Sequence, residues 1–270
     1  MSSVAPTSPP PSQTANVRPT IDPRDYIAPG TGFHQAVGGI LAALGFFLTM
    51  LFLIGATFGI GLVVALIGLL LFFLNQKKHL AKLHGSAIKV GPEQFPDVYN
   101  ILCHAAAQMG MADVPEAYIY EDNTQNAAAA KIKGKRIVLL TDDMVYGALT
   151  TKSAKVLQFV IAHELAHHYL GHSGLIRSHI AMAYKPLSRL NEFTCDGVAA
   201  AIVNDQKACG KALALLSVGP QLLPKVNVDA LFEQAQQVAS NKLSKKSEGA
   251  LTHPLLLRRF ARVMGIPMKV

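Results

Sequence analysis

The chain has 270 residues, half of them hydrophobic, with 16% charged side chains and a mean hydropathy of +0.29. This is too apolar for a disordered chain, and it excludes the collagen, coiled-coil and low-complexity classes. Cys103, Cys195 and Cys209 form no C-x-x-C pair, which excludes a disulfide framework and points to a reducing compartment. The net charge of +8 comes without any Trp and without a basic stripe interleaved with aromatics, so the expected anionic partner is a lipid bilayer and no nucleic acid.

Residues 1–33 hold seven of the fifteen prolines, set among Ser and Thr with few apolar residues to bury, and predict a disordered tail. From Ala36 to Leu74 no side chain is charged. A single helix over that stretch would be about 58 Å long, twice a hydrocarbon core of about 30 Å, whereas two spans fit. The Gly-rich run Gly55 to Gly61 marks a turn, giving a transmembrane helical hairpin over 34–75 with helices at 37–54 and 59–75. The run is too long for a signal-peptide core of about 7–15 residues and follows a proline-rich segment rather than a basic one.

Lys77, Lys78, His79, Lys82 and His84 follow the second helix, while the turn carries no charge. Both ends are therefore expected on the cytoplasmic side of the cell's inner membrane, with residues 76–270 as a cytoplasmic domain. That domain carries 23 Lys+Arg against 15 Asp+Glu, which is the whole excess of +8 and suits apposition to anionic lipid.

Within 76–270 the periodicities predict a mainly α domain with a small β-sheet. A helix is expected over Asp97–Met109, strands over 117–120, 127–132 and 136–140 with a turn at Lys133-Gly134-Lys135, and helices over Ser153–Gly171, Leu187–Asn204 and Val228–Ser240.

The chemistry resides in His163-Glu164-Leu165-Ala166-His167. Histidines four apart on a helix project from one face, so both imidazoles can reach a single Zn²⁺ at about 2.0–2.1 Å while Glu164 acts on its water. The apolar flank Val160-Ile161-Ala162 suits a buried metal helix better than the competing reading of two solvated histidines. A hydrolytic zinc needs a third protein ligand. The H-E-x-x-H-x-x-G-x-x-H pattern fails, because Leu170 and Ser173 stand where it requires Gly and His. Glu192 is the better candidate, with Asp196 one turn later on the same face of an apolar-rich helix to accept the second N–H of a ligand histidine. Two exposed acids on an amphipathic helix are the alternative.

His163-Glu164-Leu165-Ala166-His167, then Glu192-Phe193-Thr194-Cys195-Asp196-Gly197, then Thr252-His253-Pro254 with Arg259 six residues after the histidine, resemble the HtpX-like membrane zinc peptidases, the group that also holds the CAAX prenyl proteases. The likeness covers residues 34 to about 265. It implies an α+β zincin-type domain of the gluzincin kind with one Zn²⁺ per chain. It also implies His253 as the donor to the oxyanion, Arg259 as a charged partner, and Asn126, Ala127 and Ala128 on an edge strand where an extended polypeptide substrate lies. Two features depart from the family. Residues 172–191 are too polar for the further spans HtpX carries there, and Ala128 and Cys195 stand where Phe and Ala are usual.

The expected function is zinc-dependent endoproteolysis at a membrane, for instance in membrane-protein quality control, with Glu164 as general base. The alternative is a catalytically silent scaffold braced by zinc, for which Cys195 is the attractive fourth ligand. An intramembrane protease is excluded by the position of the motif, far beyond the hairpin in sequence that cannot cross lipid.

Overall fold

The computed structural model describes residues 20–123 and 126–268. The expected tail lies outside the described residues up to position 19, but its boundary at 33 needs correction. The Thr20 N–H donates to Gln108 O at 3.0 Å, and Asp22 caps a 3-10 turn over Pro23–Tyr26 by accepting from the Arg24 N–H. Ala28, 1% exposed, donates its N–H to Thr194 Oγ1 at 2.9 Å. Proline at the first position of a capped turn loses no hydrogen bond, so Pro23 begins structure rather than preventing it.

Helix α1 (Thr31–Gly55) and helix α2 (Ile60–Ser86) are joined by a four-residue turn in which Gly59 has φ 83°. Both are longer than expected. α1 begins before residue 37 and α2 runs well past 75, so the boundary expected at 75/76 falls inside a helix. α1 is long and apolar enough to cross a membrane; the apolar stretch of α2, Ile60–Phe72, is shorter. The base of α1 is fastened to the body. His34 Nδ1 lies 2.8 Å from the Tyr184 hydroxyl, and a Cβ on Gly38 would meet Ile180 at 3.0 Å and Tyr184 at 3.2 Å, so glycine permits the close approach.

The body is mainly helical around a four-stranded mixed sheet, the fold class expected. Its strands are β1 (Ile88–Lys89), β2 (Glu116–Tyr120), β3 (Ala127–Ile132) and β4 (Lys135–Thr141), in the order β1-β2-β4-β3. β2 and β4 run parallel with Tyr118 opposite Leu139, while β3 and β4 form an antiparallel hairpin with Ala128 opposite Leu139. β3 therefore ends the sheet with one edge unpaired among the described residues.

Helix α3 (Pro96–Gln108) and helix α4 (Asp142–Thr150) flank helix α5 (Ala154–Tyr169), the centre of the core. Val156, Leu157, Ile161, Ala162 and Leu165 of α5 are wholly buried, each larger side chain contributing about 1.5–3 kcal/mol by leaving water. A helix apolar on nearly every face has to sit inside a domain, and α5 packs on α3, α4, helix α7 (Lys185–Val203) and helix α8 (Gln206–Leu222). Helix α6 (Leu175–Ala183) bridges α5 to α7. Helix α9 (Val228–Ser240), helix α10 (Lys242–Ser247) and helix α11 (Leu256–Val263) complete the body, with α11 packed on α7, α8 and α9. The packing of α5 on α7 sets the geometry of the cleft.

Candidate metal centre

One cleft of about 550 Å³ runs between α5 and β3. Its floor presents His163, Glu164 and His167 from α5 and Glu192 from α7; Arg259 comes from α11, His253 and Pro254 from the preceding loop, and Asn126 to Ala129 from the edge of the sheet. The structure thus brings together every catalytic, metal-binding and substrate-binding residue expected from the sequence, with Asp196 just behind them.

His163 Nε2 and His167 Nε2 are 3.2 Å apart. Glu192 reaches both, with Oε1 3.2 Å from His167 Nε2 and Oε2 3.5 Å from His163 Nε2. Ligands bound tetrahedrally at about 2.0–2.1 Å are separated by about 3.3–3.4 Å, and in this triangle of residues, with a different Glu192 oxygen facing each histidine, the spacings are comparable. The three donors form a group able to hold a metal ion, and their chemistry, two imidazoles and a carboxylate, fits zinc.

Behind the triangle, Asp196, fully buried, places Oδ1 2.9 Å from His163 Nδ1, off the N–H direction of a good hydrogen bond. Arg259 grips Asp196 with two hydrogen bonds, Nε to Oδ2 at 2.8 Å and Nη2 to Oδ1 at 2.7 Å, and its Nη1 stands 3.5 Å from Glu192 Oε2. It therefore serves the two carboxylates rather than pairing with His253 as the family likeness suggested. His253 approaches from the open side, its side chain 65% exposed, with Nδ1 3.0 Å from Glu192 Oε2.

Electrostatics follow from this packing. Burial would raise the Glu192 pKa, but His163, His167, His253 and Arg259 outweigh it and hold the carboxyl well below its usual range. Burial acts the same way on Asp196, and Arg259 overrides it. Burial would lower the His163 pKa, yet Asp196 and Glu192 raise it to about 10. A site that favours positive charge on a buried imidazole is one in which a cation is stabilised.

His172 is a member of the cleft that spacing rules missed. Gly171, with φ 73°, ends α5 in a Schellman-type turn in which the Gly171 N–H donates to His168 O and the His172 N–H to His167 O. This turn curls His172 back until its Nδ1 is 3.2 Å from His167 Nδ1 and 3.6 Å from Cys195 Sγ. Burial, with His167 and Arg177 nearby, pushes the His172 pKa down to about 2, and burial keeps the Cys195 thiol protonated. His167, His172 and Cys195 form a second cluster of potential donors, separate from the Glu192 triangle apart from the shared His167. His168 faces the other way. Its Nε2–H donates to Ile137 O at 3.0 Å, its Nδ1 lies 2.9 Å from Ser173 Oγ, and burial lowers its pKa to about 4.

The profile of peptidase family M48 matches residues 92–182, from just before α3 to the end of α6. The match includes His163, Glu164 and His167 and supports the resemblance read from the motifs, that of an M48-type metallopeptidase. It stops before Glu192, Asp196, His253 and Arg259. No curated protein and no solved structure matches the chain.

Proposed function

We propose that the protein is a membrane-anchored zinc endopeptidase of the gluzincin type, with His163, His167 and Glu192 holding one Zn²⁺ and Glu164 as general base. The observation that carries this reading is the convergence of two imidazole Nε2 atoms 3.2 Å apart with the two Glu192 oxygens, Oε1 at 3.2 Å from His167 and Oε2 at 3.5 Å from His163, with Glu164 beside them on the cleft floor. A Zn²⁺ bound there would lower the pKa of a water toward about 7 and polarise a carbonyl. Glu164, next in sequence to the first ligand, accepts the proton of the attacking water and returns it to the leaving amine. Asp196 steadies His163, Arg259 neutralises the buried carboxylates, and His253 at the rim donates to the oxyanion.

Substrate lies along β3. An extended peptide adds main-chain hydrogen bonds to an unpaired edge, and Ala127 to Ala130 offer no bulk to obstruct it, which suits sequence-tolerant cleavage. Ala128 in place of the family's Phe widens this wall. α1 anchors the chain in this reading, and the basic exit of the α1–α2 hairpin at Lys78 and Lys82 supports a domain that faces the cytoplasm and acts in membrane-protein quality control. A cysteine at Phe58, 95% exposed in the turn, should react with impermeant thiol reagents from outside and one at Ser247 only from inside. The reverse pattern overturns the topology.

The scaffold reading has one observation in its favour, the His167, His172 and Cys195 cluster, in which a thiolate would help close a structural site. Glu164 in the cleft has no use there. Purified protein should lose cleavage of unfolded polypeptides on chelation and regain it with Zn²⁺. Protein that retains zinc yet cleaves neither soluble nor membrane-derived peptides favours the scaffold.

A further inference from the structure

Helix α6 is inside out for a helix in water. On a 100° wheel Leu175, Ile176, His179 and Met182 fall within an arc of about 120°. That arc faces away from the body, with Leu175 51%, Ile176 76% and Met182 55% exposed. The opposite arc carries the polar groups: the Arg177 Nη1 donates to Leu170 O at 2.7 Å and Ser178 lines the cleft. His179, the one polar side chain on the outer arc, donates its Nδ1–H to Leu175 O of its own helix.

We propose that α6 lies in the membrane interface, with Leu175, Ile176 and Met182 entering the bilayer. This rests on the reading of α1 as a membrane anchor. Three observations select lipid as the occupant. The outer arc adjoins α1, which packs against α6, so the two apolar surfaces are continuous. The contact falls at Gly38, two residues into the uncharged stretch that begins at Ala36, and so at the level where α1 enters hydrocarbon. Finally, residues 172–191 contain Arg177, Lys185 and Arg189 and no Asp or Glu, so an anionic surface meets no carboxylate there. Tyr184, at the joint between α6 and α1, has the amphipathic ring favoured at that depth. Because Ser178 lines the cleft from the other side of α6, the cleft lies within one helix diameter, about 10 Å, of the lipid surface.

The test uses the full chain in vesicles of phosphatidylethanolamine and phosphatidylglycerol. An environment-sensitive fluorophore is attached to Ile176→Cys or Met182→Cys, with Phe47→Cys on α1 and Leu243→Cys on α10 as references; the native cysteines are buried. Lipids spin-labelled high on the acyl chain should remove more than about half the emission at 176 and 182, as expected for an apolar face about 5–10 Å into the interface, lipids labelled near the chain end should do the same at 47, about 14 Å deeper along α1 than Gly38, and both should leave 243 unchanged. Quenching at 47 without quenching at 176 and 182 overturns the proposal and leaves the anchor intact. No quenching at 47 removes the anchor itself. Labels at 176 and 182 that are shielded from water, insensitive to the lipid quencher and dependent on protein density would assign the face to a second copy, against the proposal.

Discussion

The two walls of the cleft are built on opposite principles. The inner wall, from α5, α7 and α11, is buried: His163, Glu192, Asp196 and Arg259 each touch at least two others by ion pairs, and none can move without exposing a charge to apolar surroundings. The outer wall, β3 and the loop carrying His253, is half-open, with small side chains and one unpaired sheet edge. On the function proposed above the difference divides the labour: the inner wall would fix a cation and the outer wall would meet a substrate. Substitutions should divide in the same way, with stability and metal affinity failing inside and turnover failing outside.

The largest effect should follow Arg259→Met, which takes both guanidinium hydrogen bonds from Asp196 and leaves that fully buried carboxylate with His163 as its remaining partner. Removing one partner of such a pair costs about 3–5 kcal/mol, measurable by urea unfolding. A variant as stable as the wild type would show that the inner wall is not electrostatically locked. On the outer wall, His253→Ala should retain zinc and fold while kcat falls about 10²-fold, the loss typical of one oxyanion donor. Loss of zinc instead would move His253 into the inner wall. Asp196→Asn should weaken zinc binding by about 10–100-fold without abolishing it, read by competition with a chelating dye. Equal loss from Asp196→Asn and Glu192→Ala would mean that the two acids do not divide the work as described.

A smaller effect concerns the far side of α5 and serves as a control. His168 has its pKa lowered to about 4 by burial, so it is neutral in the fold and its contribution is complete above the unfolded value of about 6.5. That contribution is lost as pH falls from 6.5 toward 4. Between pH 7 and pH 5 the linkage amounts to about 2 kcal/mol, and His168→Gln should lack that share of the pH dependence of stability. An unchanged slope would show that His168 does not titrate against the fold.

The inner wall was more legible in the sequence than the outer. Four-residue spacing on helices announces His163 with His167 and Glu192 with Asp196, because the 3.6-residue repeat turns spacing into a shared face. β3 and β4 were readable from the turn at Lys133-Gly134-Lys135, whose Lys133 and Gly134 both take positive φ. His172 was not, since its placement depends on the left-handed Gly171 and not on any helical period. The packed segment 20–33 was hidden by its prolines, and β1 was too short to carry a pattern. α8 was missed because its last turn is broken from the rest: Gly219 leaves helical geometry at φ 75°, and Pro220 restarts the helix in a new direction. The outward apolar face of α6 becomes visible only once the body shows which side of that helix is occupied.

The central claim is that a cation held by the inner wall serves catalysis through Glu164, which acts on water without holding the metal. Glu164→Gln, assayed for zinc and for peptide hydrolysis on the same sample, tests it most directly. The account predicts full zinc and a native unfolding midpoint with turnover lower by at least about 10²-fold; a Gln variant that hydrolyses unfolded and membrane-derived peptides at the wild-type rate would contradict it.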